Sequence, residues 1–221
     1  MPQRKTTRTI LRNKAKKRTL QFLTNPTPLS LQEILSKSEA FPHRPGGEIK
    51  KNDFIGHVSY SGRFPWQKVF FKKLGNKIQS FADVGCALFI GAPTTIEARK
   101  HLPKNTKVIA VDAPLEVPLI PPRIEMSTNG QFMSFPKAKE KMEAAGITPL
   151  IHSIIQRPLP EKVDCIRFAN VSIYLNELQL RNALRNIFKS LNEGGYLLSE
   201  TAAFRKTRNA FVKVAKATDL K

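Results

Sequence analysis

From Pro65 onward the chain predicts an α/β fold: a doubly wound, mostly parallel sheet with helices on both faces and a compact C-terminal end. Three observations predict it. Strand-like and helix-period segments alternate. The strand candidates are near-continuous apolar runs, as expected for strands covered on both faces. The first two strands end in residues suited to a binding edge, Asp83-Val84-Gly85 and Asp112.

The elements follow in order. "PWQKVFFKKLGNKIQ" sets Trp66, Phe70, Leu74 and Ile78 along one helical face. "SFADVGCALFI" is a strand-like run, and "TTIEARKHL" a helix opened by Thr94 or Thr95. "KVIAVDAP" is a buried strand ending in an acid, and residues 114 to 133 are irregular and proline-rich. "SFPKAKEKMEAAG" is a short helix with Ser134 as cap, Pro136 in the first turn and Gly146 at the C-terminal end. "ITPLIHSII" and "VDCIRFANVSIYL" supply two more strands. "NELQLRNALRNIFKSL" carries a stripe of Leu180, Leu184, Ile187, Phe188 and Leu191. "NEGG" stops that helix, "YLLSE" is the next strand, and "AAFRKT" with "AFVKVAK" forms a closing hairpin.

Ahead of this domain, 65–221, lie two further segments. Residues 1–21 hold eight Lys/Arg and no acid, and read as a flexible basic arm. Residues 22–64 read as a helix-and-loop extension, in which Ser30 and Glu33 form a capping box ahead of Leu31, Ile34 and Leu35. His57, Tyr60, Arg63 and Trp66 border the domain and are either a lid or ordinary packing.

The 221 residues hold 41% hydrophobic residues, enough for one cored domain with an appendage. Lys and Arg number 37 against 17 Asp and Glu, a formal net charge of +20 that attracts polyanions such as RNA. Arg4, Lys5, Arg8, Arg12, Lys14, Lys16, Lys17 and Arg18 of the arm are the candidate phosphate contacts. The same composition also suits an organelle presequence or a solvated tail. No apolar run reaches the roughly 18 residues of a membrane helix, and no secretory signal follows the basic start, so a cytoplasmic location is expected. Cys86 and Cys165 sit in apolar runs and read as reduced, buried thiols. His43, His57, His101 and His152 lack ligand spacing, so no metal site is expected. Neither a P-loop nor G-x-G-x-x-G occurs.

The pieces "FADVGC", "VIAVDA", "VDCIRFANVSIYL" and "SLNEGGYLLSE" together resemble class I S-adenosylmethionine-dependent methyltransferases, whose fold is Rossmann-like. Asn170, Val171 and Tyr174 are also similar to a strand-4 segment of chemotaxis-receptor methyltransferases, a likeness at superfamily level. The resemblance implies a methyltransferase using S-adenosylmethionine. Asp83, Gly85 and Gly91 would line the methionine end, Asp112 the ribose, and residues near Arg167 to Asn170 would border the transferred methyl group; Cys86, Ala113 and Asn170 are further cofactor-binding candidates. Arg167 and Tyr174 either touch a substrate or serve packing. Ala87 and Phe89 replace two glycines of the family's D-x-G-x-G-x-G, unless Gly91 takes the third place through a longer loop. The family's acid after strand 3 is absent, with His152, Ser153 and Gln156 in its stead. No N-P-P-Y follows strand 4, which weighs against amino methylation of bases. The acceptor is open, with RNA suggested by charge. The alternative is a catalytically inactive Rossmann-like module that binds RNA or a ribosomal surface through its arm.

Overall fold

A computed structural model describes residues 18–37, 41, 62–114 and 134–219. Its strands are β1 (Arg18–Phe22), β2 (Pro28–Leu29), β3 (Ser80–Val84), β4 (Lys107–Asp112), β5 (Thr148–Ile151), β6 (Val163–Phe168), β7 (Leu191–Leu198), β8 (Ala202–Lys206) and β9 (Phe211–Asp219). Its helices are α1 (Leu31–Lys37), α2 (Pro65–Leu74), α3 (Pro93–Arg99), α4 (Phe135–Ala144) and α5 (Glu177–Ser190). All nine strands join one sheet in the order β1-β9-β8-β7-β6-β3-β4-β5, with β2 also paired to β9.

Helix α1 packs with α5 on one face of the sheet, around Ile34, Leu35, Ile166, Phe168, Leu184 and Phe204. Helices α2, α3 and α4 cover the other, around Trp66, Phe70, Phe81, Ala98, Ala138 and Met142. The expected two-faced covering is therefore present. The expected mostly parallel sheet holds for its core, while antiparallel strands at one side make the whole sheet mixed. β5-β4-β3-β6-β7 run parallel, but β8, β9, β1 and β2 all pair antiparallel. After β7 only Ser199, Glu200 and Thr201 precede β8, too few for a crossover helix, so the chain can only turn back on itself. The closing hairpin read from the sequence is this β8–β9 pair.

A second correction falls at the N-terminus. The arm expected over 1–21 ends earlier, because Arg18–Phe22 is a strand paired with β9. Its alternation is the cause: Leu20 and Phe22 turn inward to the α2 face, and Phe22 stacks on Phe70 at 6.5 Å. Residues 1–17, with the other arm cations, lie outside the described residues, as do 42–61, which include His57 and Tyr60. Since Leu20, Phe22, Ile34, Leu35 and Phe41 enter the same two apolar clusters as the domain, residue 64 does not divide the core.

Local signals fare unevenly. The Ser30–Glu33 capping box forms: Glu33 N–H donates to Ser30 Oγ at 3.2 Å, and Ser30 N–H to Glu33 Oε2 at 2.9 Å. A second box opens α5, where Gln179 N–H donates to Asn176 Oδ1 at 2.9 Å and Asn176 N–H to Gln179 Oε1 at 3.0 Å. Ser134 holds the cap position of α4 without a side-chain cap bond. "NEGG" stops no strand from starting. β7 begins at Leu191, and these four residues form an irregularity in its register against β6. A side chain at Gly195 would meet the carbonyl oxygens of Asn192 and Asp164, each at 2.9 Å, so only glycine lets the strands close there.

Asn176→Ala removes a cap whose donors sit half-buried in the fold. It should lower stability by about 1 kcal/mol, read as a shifted urea midpoint at unchanged slope.

Candidate functional site at the carboxyl edge

The chain runs β3, β4, β5 in one direction across the sheet, then starts again on the other side of β3 with β6 and β7. The order reverses between β3 and β6, so their carboxyl ends mark the position where such sheets take ligands. Two turns meet there. After β3, Gly85 has φ +74° and leads through a 3-10 turn, Leu88–Ile90, into α3. After β6, Asn170 has φ +61° and sets Val171 ahead of a second 3-10 turn, Ser172–Tyr174. All three non-glycine residues of positive φ among those described, Ala87, Ala92 and Asn170, belong to these turns. Strained backbone of this kind persists only where surrounding structure holds it.

Val171 packs directly on Gly85. A Cβ built on Gly85 would lie 2.2 Å from Val171 Cγ2, so the glycine is required by its φ and by its neighbour at once.

Next to this contact stands Asp112, at the end of β4. Its Oδ2 accepts from Leu88 N–H and its Oδ1 from Ala113 N–H, both at 3.0 Å. Both partners are backbone groups, and each oxygen keeps acceptor capacity. Burial pushes the Asp112 carboxyl up from 3.8 to about 6, opposed by those backbone hydrogen bonds. His152, after β5, is buried and donates its backbone N–H to the Asp112 carbonyl at 2.8 Å.

Asp83 takes a different place. It is 3% exposed and lies on the α2/α3 side of the sheet. Arg167 Nε donates to its Oδ1 at 2.7 Å, and Arg167 Nη2, Thr95 Oγ1 and Thr94 Oγ1 all donate to its Oδ2. Arg167, itself 3% exposed, also donates from Nη1 to Gln67 Oε1 at 3.2 Å. Phe64 and Phe81 lie at 5.3 and 5.6 Å from its guanidinium carbon. Thr94 and Thr95 are thus not caps of α3, whose cap position is Ala92; their hydroxyls serve the carboxylate.

The sequence-derived residues therefore divide. Gly85, Asp112, Ala113 and Asn170 gather at the carboxyl edge. Asp83, Cys86 and Gly91 are buried, Asp83 turned to the α2/α3 side of the sheet. The Cys86 thiol lies 3.5 Å from the Val111 carbonyl, its pKa raised by burial, and Gly91 (φ +79°) sits under Lys141 of α4. Cys86 and Cys165 are both free and buried. Arg167 is a structural partner for an acid. Trp66 is fully buried, with its indole N–H on the Glu200 carbonyl at 2.9 Å. The parts not read from sequence are Gln67, Leu88 and the two threonine hydroxyls. One signal for them exists: an arginine inside an apolar strand requires buried acceptors. Among the described residues no group of three or more His, Cys, Asp or Glu is placed to hold a metal, and no helix is long and apolar enough to cross a membrane.

Two mutational outcomes follow from these contacts. Gly85→Ala should cost at least about 1–2 kcal/mol from its φ alone, plus the clash with Val171. Adding Val171→Ala should recover the clash but not the backbone cost, measured as a non-additive double-mutant cycle. Arg167→Met should cost about 3–5 kcal/mol by stranding the Asp83 carboxylate, and the pairing of Arg167→Met with Asp83→Leu should be milder than Arg167→Met alone.

No protein-family model matches the chain, and no curated protein does. Solved structures that match are methyltransferases. The N-methyltransferase NodS from Bradyrhizobium japonicum is 16% identical at a TM-score of 0.41, over 74% of this chain and 100% of that one. Coclaurine N-methyltransferase is 17% identical at 0.40, over 65% of this chain and 38% of its own. The S-adenosylmethionine-dependent methyltransferase SibL is 14% identical at 0.39, over 66% and 44%. The chain thus spans less than half the length of the last two.

Proposed function

We propose that this chain binds S-adenosylmethionine at the carboxyl edge and transfers its methyl group to an acceptor of another molecule. One observation carries the reading: Asp112, a carboxylate at the end of the second parallel strand, beside the switch point, bonded only by backbone N–H groups. Two oxygens with remaining acceptor capacity suit the two hydroxyls of a ribose. The residues fit the nucleoside end of the cofactor through Asp112 and Ala113. At the methionine end the fit requires Val171 to turn aside from Gly85, and Asp83 is already saturated by Arg167 and the threonines.

The cofactor supplies a methyl group made electrophilic by its sulfonium. What falls to the protein is alignment, which asks for rigid walls more than for an acid or base. The strained turns around Gly85 and Asn170 are such walls.

A second reading, a noncatalytic module that binds RNA or a ribosomal surface through its basic arm, is favoured by the Val171–Gly85 contact, which fills the space over the glycine.

Thermal unfolding with S-adenosylhomocysteine separates them. At about 100 times its dissociation constant a ligand adds roughly 2.7 kcal/mol, on the order of 5–10 °C in a domain of this size. That shift should vanish in Asp112→Ala. Because only the carboxylate accepts from both hydroxyls, affinity should weaken as pH falls through about 6, where Asp112 protonates. Without ligand the same group acts in the opposite sense. Its folded pKa lies above its ordinary 3.8, so the folded state binds the extra proton between those values. Stability from this group is therefore full below about 4 and is lost as pH rises through 6, a slope that Asp112→Asn should remove. No ligand shift at millimolar concentration would sink the methyltransferase reading.

A further inference from the structure

The α2/α3 side of the molecule carries a cluster of cations that the carboxyl-edge site does not use. Lys72 and Lys73 lie in the last turn of α2, and Lys77 ends the 3-10 turn that follows. Lys100 caps α3, and Lys104 stands in the turn before β4. These segments abut: a Cβ on Gly75 would meet Pro103 at 3.6 Å, and Thr106 Oγ1 donates to the Ile78 carbonyl at 2.9 Å. The fields of Lys72 and Lys100, with that of Lys68, reach His101 between them and help lower its pKa, after burial and against Glu97. All five lysines are exposed, and none forms an ion pair among the described residues. The bordering carboxylates are committed, Glu97 to Lys68 and Glu161 to Lys107. Five like charges on adjoining rigid elements, with no ion-pair partner among the described residues, repel one another and are relieved when an anion covers them.

The kind of anion can be argued. A membrane surface would ask for an apolar face beside the cations. Here the exposed large apolar side chain of α2 is Val69 alone. The face offers lysines without a fork geometry, which read the charge of a phosphate backbone rather than base edges.

We propose that Lys72, Lys73, Lys77, Lys100 and Lys104 form a docking face for the phosphate backbone of RNA. The face adjoins the end of β1, where Lys73 Nζ lies 4.0 Å over the Phe22 ring. The proposal stands apart from the cofactor reading, since no residue of the face belongs to the Asp112 crevice.

The test uses the full-length protein and a fluorescein-labelled single-stranded RNA 20-mer of mixed sequence, read by anisotropy over a salt series. A variant with all five lysines changed to Gln is compared with wild type and with a variant in which five arm cations are changed to Gln. Circular dichroism and melting temperature check that both variants fold. The face variant should bind at least about tenfold more weakly at 0.1 M salt, and its slope of log K against log salt should flatten by about 0.7 for each lost phosphate contact. Four results would overturn the proposal: no RNA binding by wild type; unchanged affinity and slope in the face variant; loss of binding confined to the arm variant; or loss by the face variant of binding to phosphatidylserine vesicles but not to RNA.

Discussion

The buried pair of Asp83 and Arg167 is the interaction on which the rest of the structure depends. It joins β3 to β6, the two strands that flank the switch point, and through Thr94, Thr95 and Gln67 it ties both to α3 and α2. Gln67 extends the chain of bonds to the Ser199 carbonyl after β7 at 3.3 Å. Desolvating two charges is costly, and an apolar pair of equal volume would serve stability as well or better. What the ion pair adds is register. A carboxylate with its acceptors filled on one side of the sheet fixes how the carboxyl ends of β3 and β6 sit, and hence where Gly85 meets Val171. The pair also explains why Asp83, at a position the family resemblance assigns to the cofactor, is not available to one here.

That pair changes how the sequence motif is to be read. An acid-x-glycine after a first strand is usually taken as a ligand signature, yet here both members have internal reasons. Asp83 neutralises Arg167, and Gly85 makes room for Val171 while holding φ +74°. Asp112 has no cationic partner among the described residues: it accepts from backbone N–H groups, and burial holds its carboxyl near 6. An acid kept partly dry in this way costs the fold energy that those hydrogen bonds offset only in part, since its pKa stays raised. The cost points to function more directly than the glycine does.

Much of the architecture was legible because it rests on periodicity. The apolar runs of β3, β4 and β6, the stripe of α5 and the closing hairpin all follow from local pattern and length. The misses share a different origin. β1 sits in a segment whose composition says arm, and only pairing with β9 and stacking of Phe22 on Phe70 make it a strand. Thr94 and Thr95 look like caps because capping is the local use of a threonine; their actual partner is eleven and twelve residues away on β3. "NEGG" has the composition of a stop, and becomes strand because Gly195 can approach the Asp164 carbonyl of β6. In the site, the residues at strand ends were placed by topology alone, whereas the direction of each side chain depended on tertiary partners that no local pattern encodes.

The strand directions also relate the two charged features to the crevice. β6 and β7 run parallel toward the carboxyl edge, β8 returns, β9 runs out again, and β1 comes back against it. Arg18 therefore lies on the carboxyl side of the sheet, and Phe22, level with Asp83 through Ala215, Ala203, Leu198 and Arg167, carries Lys73 over its ring. Five residues of strand span about 17 Å. β1 thus starts on the carboxyl side of the sheet and ends with its Phe22 ring under Lys73. A polyanion held by the lysines would lie beneath the α2/α3 face, on the side of the sheet where Arg167 is already neutralised by Asp83. The buried ion pair then has an electrostatic consequence as well as a structural one. With that pair neutralised inside the face, the charge left on it among the described residues is that of its exposed lysines, whereas at the carboxyl edge it is that of Asp112, whose carboxyl has no cationic partner there.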